Sequence, residues 1–160
     1  MRLIDDSIMK IIRQYMLVNK ETIAVSESVT AGLLQWSFSS VPDAAQFFEG
    51  GITAYNISQK YKHLAVEPIH ASEVNCVSQK VANEMALNVC TLFGSQWGIG
   101  ITGYASPVPE SGGKLFAYFS IVQDGVNKAM SQIIPNTDDP PAVQQYYAKV
   151  VMNAMVNLLR

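Results

Sequence analysis

Three short polar stretches of this chain carry residue types able to do acyl chemistry. The first is Ser26-Glu27-Ser28-Val29-Thr30-Ala31-Gly32, which follows the apolar Ile23-Ala24-Val25 and precedes Leu33-Leu34-Gln35-Trp36-Ser37-Phe38. A strand that hands over to a helix through such a turn exposes unpaired backbone N–H groups. Those groups can bind a phosphate or steady a developing oxyanion. Ser28 and Thr30 are equally what helix capping wants, and the stretch is not a Gly-x-Ser-x-Gly elbow. The turn by itself leaves both readings open.

A nucleophilic serine needs a base. His63 and His70 are the only histidines, and neither stands in a recognisable triad context. A lysine can serve if burial lowers its pKa towards neutrality. Lys60 is the best placed, just after Tyr55 and Asn56 where a second strand passes into a helix. An ordinary surface lysine fits the same spacing. The third stretch is Thr102-Gly103, at the end of Trp97-Gly98-Ile99-Gly100-Ile101. In α/β proteins ligands gather at the carboxyl ends of strands, so the three stretches are expected to converge on one crevice.

The elements that must position these residues follow from apolar spacing and turn chemistry. Ile4, Ile8, Ile11, Ile12 and Tyr15 make a helical stripe. Ile23–Val25 reads as a strand, and the helix after Gly32 must stop near Val41-Pro42. Phe47–Ala54 is a second strand. Asn56-Ile57-Ser58-Gln59 has capping-box spacing and opens a helix reaching about Leu64. Ser78–Leu92 is a stronger helix with Gly94 just past its end, and Trp97–Thr102 is a third strand.

Residues 104–113 form a loop. Lys114–Gln123 and Val126–Ile134 flank Asp124-Gly125, a hairpin signal. Asp139 before Pro140-Pro141 caps a last helix running to Leu159 on Val143, Tyr147, Val150, Ala154 and Leu158. The fold class is therefore α/β. A three-layer α/β/α sandwich is expected, with a mixed, mostly parallel sheet, one antiparallel hairpin, and a single domain over residues 1–160.

Composition narrows the function classes. Net charge is −2, and beyond Lys60, Lys62 and His63 there is no basic cluster. A nucleic-acid surface is not expected. Charged residues make up only 15% of the chain, against about 25% in ordinary domains, which favours a homo-oligomer hiding some apolar surface. Cys76 and Cys90 have no metal or redox spacing, and no metal or cofactor is expected. No apolar run approaches a membrane span. Asp5 and Asp6 do not suit a secretory leader, so the cytoplasm is the default compartment.

Taken in order, Glu27-Ser28-Val29-Thr30-Ala31-Gly32, then Phe48-Glu49-Gly50-Gly51-Ile52-Thr53-Ala54-Tyr55-Asn56 with Lys60, then Gly100-Ile101-Thr102-Gly103-Tyr104-Ala105, resemble the CinA C-terminal domain family. The resemblance covers residues 5–160. It implies an α/β/α sandwich, commonly a homodimer, and a metal-free amidohydrolase that converts nicotinamide mononucleotide and water to nicotinate mononucleotide and ammonia. The family's nucleophilic serine falls on Ser28, its lysine on Lys60, and its tyrosine and strand-end Ser/Thr on Tyr55 and Thr102. Those four are the implied catalytic set. Glu27, Thr30, Gly32, Asn56 and Gly103 are the implied substrate-binding positions, with a pyridine nucleotide-like small molecule as the substrate.

The sequence also departs from the family pattern. Val29 stands for the usual cysteine and Ala31 for the first glycine of Glu-Ser-Cys-Thr-Gly-Gly. A Cβ at Ala31 is costly if φ is positive. Ala45 replaces a serine, and the usual Gly-Ile-Ala-Gly-Pro-Asp-Gly-Gly loop is altered, with Gly112-Gly113 displaced. A family arginine meets Asn136-Thr137-Asp138-Asp139, whose carboxylates would repel a phosphate if they lay at the site. These changes set three readings side by side: an active nicotinamide-nucleotide hydrolase, an inactive or repurposed homologue binding a nucleotide-like ligand or protein partner, and an amidase for a phosphate-free substrate.

Overall fold

The computed structural model describes residues 3–160; residues 1 and 2 of the expected domain lie outside the described residues. Five strands form one sheet in the order β2-β1-β3-β4-β5, where β1 is Ile23–Glu27, β2 Phe48–Thr53, β3 Trp97–Gly103, β4 Ala117–Gln123 and β5 Val126–Ile133. β1 pairs in parallel with both β2 and β3. β4 is antiparallel to β3 as well as to β5, so the sheet holds two antiparallel ladders where the hairpin alone implied one. Four strands still share a direction, and β4 alone opposes them. The sheet is mixed, as the sequence implied.

Two apolar layers sandwich it. On one face the helices α1 (Asp6–Asn19), α2 (Leu33–Ser39) and α6 (Pro140–Leu158) bury Ile12, Met16, Leu34, Phe38 and Val151 against Ile23, Val25, Ile99 and Ile101. On the other, α3 (Ile57–Leu64), α4 (Pro68–Glu73) and α5 (Gln79–Phe93) bury Leu64, Ala71, Val81, Met85 and Val89 against Ala24. Side chains along a strand alternate between faces. Ile23, Val25 and Glu27 therefore point towards α2, while Ala24 and Ser26 point towards α5.

Several expected boundaries move. Ser78 is the cap of α5 rather than its first turn, its side chain accepting from the Val81 N–H at 3.1 Å. Residues 114–116 stay outside β4. Ile4 precedes α1, whose fully packed residues are Met9, Ile12 and Met16. In α6 the buried face rotates to Val143, Tyr147, Ala148, Val151, Met152, Met155 and Val156, leaving Val150, Ala154 and Leu158 half-buried. The helix α4 has no counterpart in the sequence reading. Its signal is local: the Glu67 carboxylate accepts from the N–H groups of Ile69 and His70 at 2.9 and 2.8 Å, ahead of Pro68 in the first turn.

The hairpin turn does follow its sequence signal, with Asp124 and Gly125 both at positive φ. The glycines that break β3 have a packing reason. A Cβ on Gly100 would stand 2.3 Å from the Ala82 carbonyl oxygen and 2.6 Å from the Ala86 nitrogen. Gly98 and Gly100 thus let α5 lie directly on β3. Gly100→Ala is expected to push α5 off the strand and lower stability by about 1–3 kcal/mol, read as a lower urea midpoint. An unchanged midpoint would contradict this packing account.

Candidate active site

The carboxyl ends of β1, β2 and β3 are neighbours, and they are tied across their tips. The Ser28 N–H donates to the Ile101 carbonyl at 3.1 Å, and the Ala54 N–H to the Glu27 carbonyl at 2.9 Å. From β1 the chain proceeds to β2 on one side and later to β3 on the other, so Ser28 stands at the point where the connections diverge.

Lys60 reaches this point from the inner face of α3. Asn56 caps the helix, its side-chain oxygen accepting from the Gln59 N–H at 3.0 Å. The Gln59 side chain turns to His63 instead of closing the capping box. Lys60 and Leu64, one turn apart, are the buried residues of α3. Only 2% of Lys60 is exposed, and its Nζ lies 2.8 Å from the Ser28 Oγ. Burial pulls the Lys60 pKa below the ordinary lysine value, opposed in part by the nearby Cys76 thiol.

Glu27, implied as a substrate contact, lies behind the turn and out of the crevice. It is fully buried, and its carboxylate accepts from Thr30 Oγ1 (2.6 Å), the Leu34 N–H (2.8 Å), the Gln35 N–H (3.0 Å) and Gln35 Nε2 (3.0 Å). Strand alternation explains the divergence: Glu27 faces α2 and satisfies its amino-terminal N–H groups. Thr30 is likewise turned inwards, to Glu27. Glu27 is thereby a correction to the substrate-binding set, and of Thr30 only the side chain is; together the two side chains fix the shape of the 28–32 turn. Gly32, at φ 103°, shapes the start of α2 and does not line the crevice. Ala31 takes φ 48°, so the missing glycine leaves a left-handed alanine, a conformation costing about 1–2 kcal/mol. Among the described residues the N–H groups of Val29 and Thr30 meet no acceptor.

The other implied residues separate in position. Tyr55 stands at the mouth, 69% exposed, its hydroxyl hydrogen-bonded to neither Ser28 nor Lys60. That places it apart from the Ser28–Lys60 contact. Asn56 and Gly103 line the crevice with it. Thr102 is buried and donates to the Cys76 carbonyl at 2.7 Å, so it latches the opposite wall and its hydroxyl is not aimed at Ser28.

That wall was not foreseen from sequence. Asn75 and Cys76 adopt consecutive positive φ values of 49° and 62°, and the Asn75 amide donates to the Tyr104 hydroxyl at 3.2 Å. Cys76 lines the crevice, its thiol pushed up in pKa by burial and lowered somewhat by Lys60. The only available signal was Asn75, a residue tolerant of left-handed backbone. Two sequence departures fall elsewhere: Ala45 is exposed on the 3-10 turn Ala44–Gln46, and Asp139 caps α6 through the Ala142 N–H. Neither these nor Asp138 line the crevice, so the expected repulsion from the carboxylates does not act beside Ser28 within this chain.

With this geometry in place, the relationships are direct. The family model described as the CinA C-terminal domain matches residues 5–159, and the chain belongs to that family. A CinA-like protein of Prochlorococcus marinus subsp. pastoris is 31% identical over 156 residues, 94% of this chain and 35% of that relative. One from Rippkaea orientalis is 37% identical over 103 residues, 64% of this chain and 25% of the relative. The chain thus spans about a quarter to a third of the length of the curated relatives it matches. Its fold is that of the competence damage-inducible protein A of Klebsiella pneumoniae (TM-score 0.89, 20% identity, 94% of both chains). It is also that of the competence/damage inducible protein CihA of Agrobacterium tumefaciens (TM-score 0.84, 16% identity, all of both chains). No helix among the described residues is long and apolar enough to cross a membrane.

Two stability outcomes follow. Glu27→Ala would strand two buried N–H donors of α2, and a loss of about 2–4 kcal/mol is expected in denaturant titration; a loss under half that would show that water replaces the carboxylate. Lys60→Met removes a buried amine. Because the native state sheds this proton at lower pH than the unfolded chain, wild-type stability rises with pH from the folded pKa up to the ordinary lysine value. Lys60→Met should therefore be more stable than the wild type at neutral pH, with the gap closing as pH rises. A less stable variant at pH 7 would contradict this.

Proposed function

We propose that this chain is a metal-independent amidohydrolase in which Ser28 attacks a carboxamide and Lys60 is its base. The observation that carries the reading is a buried amine 2.8 Å from a hydroxyl at the mouth of a strand-end crevice. Neutral Lys60 takes the Ser28 proton as Oγ forms a bond to the amide carbon. The N–H groups of Val29 and Thr30 receive the oxyanion in the geometry such a turn offers. As the C–N bond breaks, protonated Lys60 passes its proton to the departing ammonia. Water then attacks the acyl-enzyme, giving one proton to Lys60, which returns it to Ser28 Oγ as the acid leaves.

The resemblance noted from sequence supplies the substrate class, a nicotinamide-type carboxamide that yields ammonia and the corresponding acid. An inactive homologue has less in its favour. A buried lysine costs stability, and Lys60 and Ser28 are both retained within hydrogen-bond reach. The altered positions Val29 and Ala31 leave that contact in place.

Ammonia release from pyridine carboxamides should fall by about a thousandfold or more in Ser28→Ala and in Lys60→Met, and Lys60→Arg should be equally impaired because arginine stays charged. In the wild type the rate should rise with pH through the Lys60 pKa, which lies below that of a free lysine. A rate untouched by Ser28→Ala would overturn the proposal.

A further inference from the structure

The charge of the crevice carries the substrate question further. Among the described residues Lys60 is the one cation that lines it, and Glu110 supplies a carboxylate on the 109–111 turn. The other polar side chains that line it, Asn56, Ser72, Asn75 and Ser106 among them, carry no formal charge. Lys60 is deeply buried and committed to Ser28. To act as a base it must be neutral, and then Glu110 is the only formal charge that the described residues place on the wall.

A phosphate dianion would meet that carboxylate without a cation to offset it, and it would hold Lys60 protonated, against its role. A pyridinium carboxamide without a phosphate carries a positive charge that Glu110 attracts, beside the aromatic ring of Tyr55 at the mouth. From this arrangement we infer that the crevice selects a phosphate-free, cationic or neutral carboxamide and disfavours the phosphorylated form of the same molecule. The inference rests on the amidohydrolase reading above and narrows its substrate.

Three probes separate the possibilities: nicotinamide riboside (a cation), nicotinamide mononucleotide (the same cation with a phosphate) and nicotinamide (neutral). Binding is measured by calorimetry on Ser28→Ala, and kcat/KM for ammonia release on the wild type. The riboside should bind about ten times or more tighter than the mononucleotide at low ionic strength, and the gap should shrink with added salt. Glu110→Gln should weaken the riboside several-fold. Glu110→Arg should shift the preference towards the mononucleotide by about tenfold or more.

Mononucleotide binding equal to or tighter than riboside would overturn the inference. So would a ratio unmoved in Glu110→Arg, or no binding of any probe. If Ser28→Ala does not fold, the same ratios are read from kcat/KM of the wild type and the Glu110 variants. The two claims fail differently. No ammonia from any amide, despite binding in the expected order, would sink the hydrolase reading alone, whereas efficient release with the mononucleotide preferred would sink only this one.

Discussion

A lysine amine held out of water against a serine hydroxyl is the constraint on which the rest of this structure turns. Removing a charged amine from solvent is unfavourable unless it gives up its proton, and here burial indeed draws the Lys60 pKa down. The arrangement persists only because its surroundings are themselves well fixed. Lys60 is carried by a capped helix whose Leu64 is anchored in the core. Ser28 is pinned by the Ile101 carbonyl on one strand, while Glu27 beside it gathers three donors from the start of α2 and a fourth from Thr30 in the turn. One dipeptide thus divides the work by strand alternation: Glu27 builds the turn from behind, and Ser28 presents the hydroxyl in front.

The opposite wall is fixed by equally specific means. Thr102 holds the Cys76 carbonyl, and Asn75 reaches Tyr104, whose own carbonyl accepts from the Tyr147 hydroxyl on α6 at 2.8 Å. Consecutive left-handed residues at 75 and 76 are a local strain that the surrounding bonds sustain. Such strain is found where a backbone must be held in one place for function. The same wall brings the Cys76 thiol into the crevice that holds Ser28 and Lys60, its pKa raised by burial and lowered in part by Lys60.

Much of this was legible in the sequence because the relevant signals are local. The strand-turn-helix around Ser28, the Asn56 cap, the Asp124-Gly125 hairpin and the proline-led last helix each rest on a few adjacent residues. The convergence of the 26–32 turn, the 55–56 junction and Thr102-Gly103 followed from the rule that ligands collect at strand ends. What was missed depends on non-local geometry. Glu27 reads as a site residue until the parity of β1 is counted, which turns 27 away from 28. The role of Thr102 could not be read without knowing that Cys76 would lie beneath it. The burial of Lys60, rather than its identity, separates a base from a surface lysine, and burial is a property of the packed α3–α5 layer. The second antiparallel ladder was hidden for a similar reason, since a hairpin signal does not say which neighbour its first strand will meet.

The most direct test of the account is the titration of Lys60 itself, followed by NMR of side-chain-labelled lysine in the intact chain. The account requires the Lys60 resonance to titrate well below the other lysines, and the pH dependence of ammonia release to follow that same midpoint. A Lys60 amine that stays protonated as long as the surface lysines would contradict it.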